Sequence, residues 1–174
     1  MNDSYNELLV RKETDGIQKV LRVVCVIPTA ICALMGFGLA NIIILILAIG
    51  FGVLDYFIYQ WTDVEFEYLY LDKEISIDKI FAKSRRKKVC TIDVHKIEML
   101  APANSYHLDS FKNSDRKTTD FSAGKDVDDQ KLYHMYYEGN QKYLLNLTED
   151  FAKVLKGIEP RKVFTDWQAY FNYV

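Results

Sequence analysis

The sequence predicts a membrane α-helical hairpin followed by a mostly-β soluble domain of α+β type. Three observations predict it. No charged residue occurs in the 32 positions from Val23 to Leu54. Beyond Trp61 charges recur regularly to the end of the chain. In the same region the apolar pattern changes to alternation, the period of strands.

A helix needs about 20 apolar residues to cross a bilayer core of about 30 Å. With its mostly apolar flanks the run extends from Ile17 to Trp61, 45 residues. One helix of that length would reach about 67 Å, more than twice the core. Two crossings, about 17–37 and 41–61, fit instead. The turn is expected near Gly36–Asn41, where Gly36, Gly38 and Asn41 permit positive φ. The run is too long for a cleavable signal peptide and has no small-x-small cleavage site.

Orientation follows from Lys and Arg near the spans. The turn has none, whereas one flank carries Arg11, Lys12, Lys19 and Arg22. The other carries Lys73, Lys79, Lys83, Arg85, Arg86, Lys87 and Lys88. Both termini are therefore expected in the cytoplasm of a multi-pass cell-membrane protein. Cys25, Cys32 and Cys90 form no disulfide framework. Residues 1–16 then form a cytoplasmic N-terminal segment, 17–61 the hairpin, 62–160 the soluble domain and 161–174 a tail.

With Leu39 as the turn centre, Arg22 and Asp55 lie at nearly equal depth, and either an ion pair or separate snorkelling to the headgroups suits them. Ala48 and Gly52 form a small-xxx-small pair. Val26, Ala30, Ala33 and Phe37 form the stripe expected to face it. Pro28 is expected to kink the first span. Tyr56, Tyr59 and Trp61 suit the aromatic belt at the interface.

In the soluble part, Val64, Phe66, Tyr68 and Tyr70 alternate along a first strand. A turn at Asp72–Glu74 precedes a second strand, Ile75–Ala82. The basic turn Lys83–Lys88 leads to a third strand with Cys90, Ile92 and Val94, and a fourth ends at Pro102. A polar stretch over residues 103–130 carries one short strand near Thr118–Ala123. Leu132–Glu138 and Lys142–Leu147 flank Gly139-Asn140, a two-residue hairpin turn. Thr148 caps a closing helix with Phe151, Val154, Leu155 and Ile158 on one face. A small barrel or half-open sandwich of about seven antiparallel strands is expected.

No catalytic chemistry is legible. His95, His107 and His134 are scattered, with no Cys or paired carboxylate at metal-ligand spacing. Asp126, Asp128 and Asp129 lack EF-hand spacing and read as a solvated loop. No phosphate loop or nucleophile elbow occurs, and no cofactor is implied. The strongest functional signal is the cluster Lys83, Arg85, Arg86, Lys87 and Lys88, which suits anionic headgroups at about 1 kcal/mol each. Its other reading is a solvated turn that only enforces topology. Nucleic acid is disfavoured by a net charge of −2 and by the lack of a stacking platform. In the tail, Val163, Phe164, Trp167, Tyr170, Phe171 and Val174 share one helical face. Such a helix suits the membrane interface, a partner helix or the soluble domain; its polar face lacks Lys and Arg, so docking on the soluble domain is preferred, with Phe164, Trp167 and Phe171 as contacts.

Asn6–Lys12, Val64–Tyr70, Ile75-Ser-Ile-Asp-Lys-Ile80 and the basic residues 83–88 resemble an uncharacterised family of small bacterial membrane proteins. Its members have two N-terminal transmembrane helices and a cytoplasmic pleckstrin-homology-like (PH-like) domain. The resemblance covers most of the chain and implies a PH-like barrel with a closing C-terminal helix. It departs at Asp72-Lys73-Glu74, where the family pattern has asparagine-glycine. The resemblance carries no catalytic motif and conveys architecture more than activity; the function expected from the whole sequence is a non-enzymatic, membrane-anchored module whose cytoplasmic surface meets anionic membrane lipid, a protein partner or a second copy. The alternative is a subunit or regulator of a larger membrane assembly, bound through the hairpin.

Overall fold

The computed structural model describes residues 5–14, 16–112 and 114–165. It divides into two units. One combines Glu13–Val64 with Ile80–Arg86; the other contains Glu65–Lys79, the chain from Lys87 onward and the N-terminal segment up to Lys12.

The first unit is built on helices α1 (Gly16–Gly38) and α2 (Ile42–Thr62). Both are long and apolar enough to cross a membrane. Their large apolar side chains point outward: Ile17, Leu34 and Ile43 are 83%, 75% and 73% exposed. A soluble hairpin would have to cover that surface. α1 runs unbroken through Pro28.

The turn corrects the expected role of the glycines. Gly36 and Gly38 are helical, and the positive φ falls on Ala40, at 50°. Asn41 N–H donates to the Gly36 carbonyl at 3.0 Å, closing α1. The Asn41 side chain then accepts from Ile43 N–H at 3.0 Å, capping α2.

The second unit is β-rich. An unexpected strand, β1 (Asn6–Arg11), precedes the helices and pairs antiparallel with β2 (Val64–Leu71), matching Val10 to Phe66. β3 (Glu74–Phe81) and β4 (Arg85–Asp93) complete a sheet ordered β1-β2-β3-β4. β5 (Ile97–Pro102), β6 (Lys117–Asp120), β7 (Gln130–Tyr137) and β8 (Gln141–Thr148) form a second sheet ordered β5-β7-β8-β6. β6 lies parallel to β8.

The described strands thus number eight, in two sheets, where about seven antiparallel strands in a barrel were expected. β1 comes from the segment expected to be a plain N-terminal extension. β6 enters as a parallel edge, so the second sheet ends there instead of curling into closure.

The core of this unit contains Tyr68, Ile77, Tyr133, Met135, Leu145 and Phe151, all at most 1% exposed. Helix α3 (Glu149–Ile158) buries Phe151, Ala152 and Leu155 against it. Thr148 caps α3 by accepting from Phe151 N–H at 3.3 Å. Glu149 and Asp150 occupy its first turn, where the helix dipole favours negative charge.

Candidate functional site

At the end of α2, Asp63 N–H donates to the Tyr59 carbonyl at 3.1 Å. The Asp63 carbonyl in turn accepts from Ala82 N–H at 2.8 Å. That bond clips the β3–β4 connection to the last residues of the helix. The connection is tight: Ser84 N–H donates to the Phe81 carbonyl at 3.0 Å, with φ of 44° at Ala82 and 57° at Lys83. Two successive left-handed residues make a hairpin turn matched to the strand twist.

The six-residue basic turn expected from the sequence is therefore shorter. Only Lys83 sits in the turn, while Arg85, Arg86, Lys87 and Lys88 begin β4. Side chains alternate along a strand, so these four cations divide between its two faces. All five are exposed. Within the β-rich unit, burial, reinforced by Lys12 and Lys87, holds the Lys79 ammonium below its usual value. Lys12 in turn lies 3.7 Å from Asp120.

Inside the hairpin, Arg22 and Asp55 do not pair; each finds a hydroxyl. Arg22 Nε donates to Thr62 Oγ1 at 2.6 Å, and its guanidinium lies 4.8 Å from the centre of the Tyr59 ring. Thr29 Oγ1 donates to Asp55 Oδ2 at 2.6 Å. The cause is register. The turn centres between Ala40 and Asn41 instead of at Leu39, and each residue of shift moves the opposing partner by two. Arg22 consequently meets Thr62 at the end of α2, seven residues and about two helical turns beyond Asp55.

The packing stripe is rotated too. Ala48 is buried, and a Cβ added at Gly52 would lie 4.0 Å from Thr29 Cγ2. On α1, however, Val26 and Phe37 are 53% and 78% exposed, and Ala30 is exposed as well. Ala33 is half-buried, and the inward row is Arg22, Cys25, Thr29, Cys32 and Gly36. Gly36 sets this choice, because Leu45 fills the space where its Cβ would lie, 2.8 Å from Leu45 Cδ2.

The tail is described only to Thr165. Val163 bridges Leu100 in parallel, and Phe164 N–H donates to the Leu100 carbonyl at 2.8 Å. The Phe164 ring stacks on His107 at 3.7 Å and packs against Ala101, Leu108 and Tyr136. Trp167 and Phe171 lie outside the described residues.

Several other polar groups make contacts within the fold. His95 Nδ1 lies 2.6 Å from Glu159 Oε1, and this contact holds the Glu159 carboxyl below its usual value. Asp126 Oδ1 accepts from Leu132 N–H at 2.7 Å, fixing the acidic loop. Sequence reasoning missed the buried Tyr68–Asn146 network. Tyr68 OH donates to the Phe121 carbonyl at 2.8 Å, while Asn146 Oδ1 accepts from Ala123 N–H and its Nδ2 donates to the Lys125 carbonyl, both at 2.8 Å. A lone asparagine in a strand carries no local signal for such a role. Among the described residues no group of three or more His, Cys, Asp or Glu is placed to hold a metal ion.

No curated protein and no solved structure matches the chain. A family model described as a bacterial PH-like domain matches residues 2–165, spanning the helical hairpin and both sheets, and the chain belongs to that family.

Proposed function

We propose that the protein is a membrane-anchored, non-catalytic PH-like module whose basic β3–β4 connection meets anionic headgroups at the cytoplasmic surface. The observation that carries this reading is the hydrogen bond from Ala82 N–H to the Asp63 carbonyl. If α2 crosses the bilayer, that bond holds Lys83, Arg85 and Arg86 at its exit, with Lys87 and Lys88 next along the strand. Each cation near an anionic surface contributes about 1 kcal/mol. The exposed apolar faces of α1 and α2 support membrane insertion, and the Lys and Arg at their ends support cytoplasmic termini.

The test uses the full-length protein in mild detergent micelles supplied with zwitterionic or anionic lipid, with bound lipid counted by native mass spectrometry. Wild type is expected to retain anionic lipid in preference. Replacing Arg85, Arg86, Lys87 and Lys88 with Gln lowers that preference at least tenfold, and added salt lowers it in wild type. Equal retention of both lipid classes by wild type overturns the lipid reading. A stoichiometric membrane protein that co-purifies and is lost on scrambling the hairpin favours an assembly subunit instead.

A further inference from the structure

We infer that the segment after Thr165 folds back over the outer face of the β7–β8 pair, seating Trp167 and Phe171 on His134 and Leu144 and placing Asp166 beside Lys142. The contact lies wholly within the β-rich unit and does not depend on the lipid reading. Alternation along β7 turns the fully buried Tyr133 and Met135 into the core, so His134 and Tyr136 stand on the opposite face. In register beside them on β8 are Leu144, opposite His134, and Lys142, opposite Tyr136. His134, Leu144 and Lys142 are half-buried.

One end of this face is already covered by the chain that leads to the tail. Val163 bridges Leu100 at the free edge of β5, and Phe164 packs against Ala101 and Tyr136. The chain is thus delivered to the outer face one residue before the described part ends. From that edge to β8 is three strand spacings, about 14 Å. The nine residues from Asp166 to Val174 span about 13 Å as a helix and about 30 Å extended, enough to reach β8.

Charge is matched as well. Arg116, over the Tyr136 ring, is paired with Glu98 at 2.8 Å, and Lys112, near His134, is paired with Asp109 at 2.6 Å. Lys142 differs. Its ammonium lies 5.4 Å from the centre of the Tyr136 ring and has no ion pair or hydrogen bond among the described residues. Burial holds that ammonium below its usual value, so a counter-ion there would meet a cation already short of water. Asp166 is the one charged residue from 166 to 174, and it comes two residues after Phe164, which touches Tyr136. At helical spacing Phe164, Trp167 and Phe171 share a face, so a helix seated by Phe164 turns the other two toward the same sheet.

The test uses the full-length protein in micelles with Trp61→Phe, which leaves Trp167 as the sole tryptophan. Its fluorescence is quenched separately by acrylamide in the water and by a brominated detergent in the micelle. Trp167 is expected to be shielded from both, to an extent independent of protein concentration. Lys142→Glu should raise acrylamide quenching severalfold, and adding Asp166→Lys to it should restore the shielding, which a misfolded domain could not do. Leu144→Asp should release Trp167 by a route that leaves the ion pair in place. Strong acrylamide quenching in the starting protein overturns the docking. Quenching by the brominated detergent puts the tail on the membrane and overturns it equally. Shielding lost on dilution makes a second copy the docking partner and overturns the fold-back. Shielding unchanged by both Lys142→Glu and Leu144→Asp overturns this face, and a charge swap that fails to restore it overturns the Asp166–Lys142 contact.

Discussion

Gly36 is where the helix hairpin is most sensitive to a single methyl group. A Cβ there would lie 2.8 Å from Leu45 Cδ2, 2.9 Å from Cγ and 3.1 Å from the Leu45 backbone nitrogen. The two tightest approaches are to the Leu45 side chain, while the backbone nitrogen needs the helices to part by only a few tenths of an ångström. Gly36→Ala should therefore cost about 1–3 kcal/mol, the range for overpacking a closely fitted interface. Gly50→Ala is the control, because nothing lies within 4 Å of its added Cβ. It gains helix propensity, up to about 1 kcal/mol, with no clash. The assay is unfolding of the full-length protein in detergent micelles with rising SDS fraction, followed by helical circular dichroism. Gly36→Ala should fall below Gly50→Ala by at least about 1 kcal/mol, and Leu45→Ala should recover much of that difference by removing the obstructing side chain. Equal stability of the two alanine variants, or no recovery with Leu45→Ala, would refute the register in which Gly36 meets Leu45.

Two further predictions concern the β-rich unit. Tyr68→Phe removes the hydroxyl that donates to the Phe121 carbonyl and accepts from Asn146 N–H at 3.4 Å, leaving buried backbone groups unmatched. It should lower stability by about 1–3 kcal/mol in urea unfolding, and an unchanged midpoint would show that the network is not formed. Burial, then Lys142 and Lys112, press the His134 imidazole down to about 4, below its ordinary value of 6.5. The unfolded chain therefore binds a proton that the folded chain does not, and stability falls as pH drops from 6.5 toward 4. For a half-exposed ring the loss between pH 7 and 5 is about 1 kcal/mol. His134→Gln should remove that slope, and identical pH profiles for variant and wild type would contradict the assignment.

What the sequence revealed depends on how local the cause was. The 32 uncharged residues report two helices because hydropathy acts residue by residue. Alternation reports β2 for the same reason. β1 escaped because its partner, Glu65–Tyr70, lies on the far side of the hairpin, and six residues carrying only Leu8, Leu9 and Val10 are a weak pattern alone. The basic run was legible as charge but not as geometry. Five cations within six residues resemble a loop, whereas the turn actually falls on Ala82 and Lys83, residue types that seldom adopt positive φ. Pairing and separation of Arg22 and Asp55 were both open to the sequence, and only the position of the turn, between Ala40 and Asn41, decides for separate partners, since antiparallel packing doubles any shift of its centre. The stacking of Phe164 on His107 was not legible, because His107 sits in a single 3-10 turn, Tyr106–Leu108, too short to carry a period.

The β1–β2 pairing also constrains the membrane arrangement independently of charge. Arg11 stands opposite Glu65, with Arg11 Nε 3.9 Å from the Glu65 carboxylate. Arg11 lies five residues before α1 begins, and Glu65 lies three residues after α2 ends. The two links act in series, and their eight residues with the strand pair reach about 30 Å only when fully extended through the apolar core, where unpaired backbone groups are costly. Both helix ends therefore emerge on the same side of any bilayer the helices enter. A single crossing by the whole segment works against the strand pairing, and two crossings satisfy it. The Lys and Arg distribution is then needed only to decide which side that is. A cysteine placed at Leu39, between the helices, should react with an impermeant thiol reagent added outside intact cells, with Cys25, Cys32 and Cys90 replaced by Ser. Protection of that cysteine, with labelling of one placed at Ser84, would reverse the orientation while leaving the paired strands and the two crossings intact.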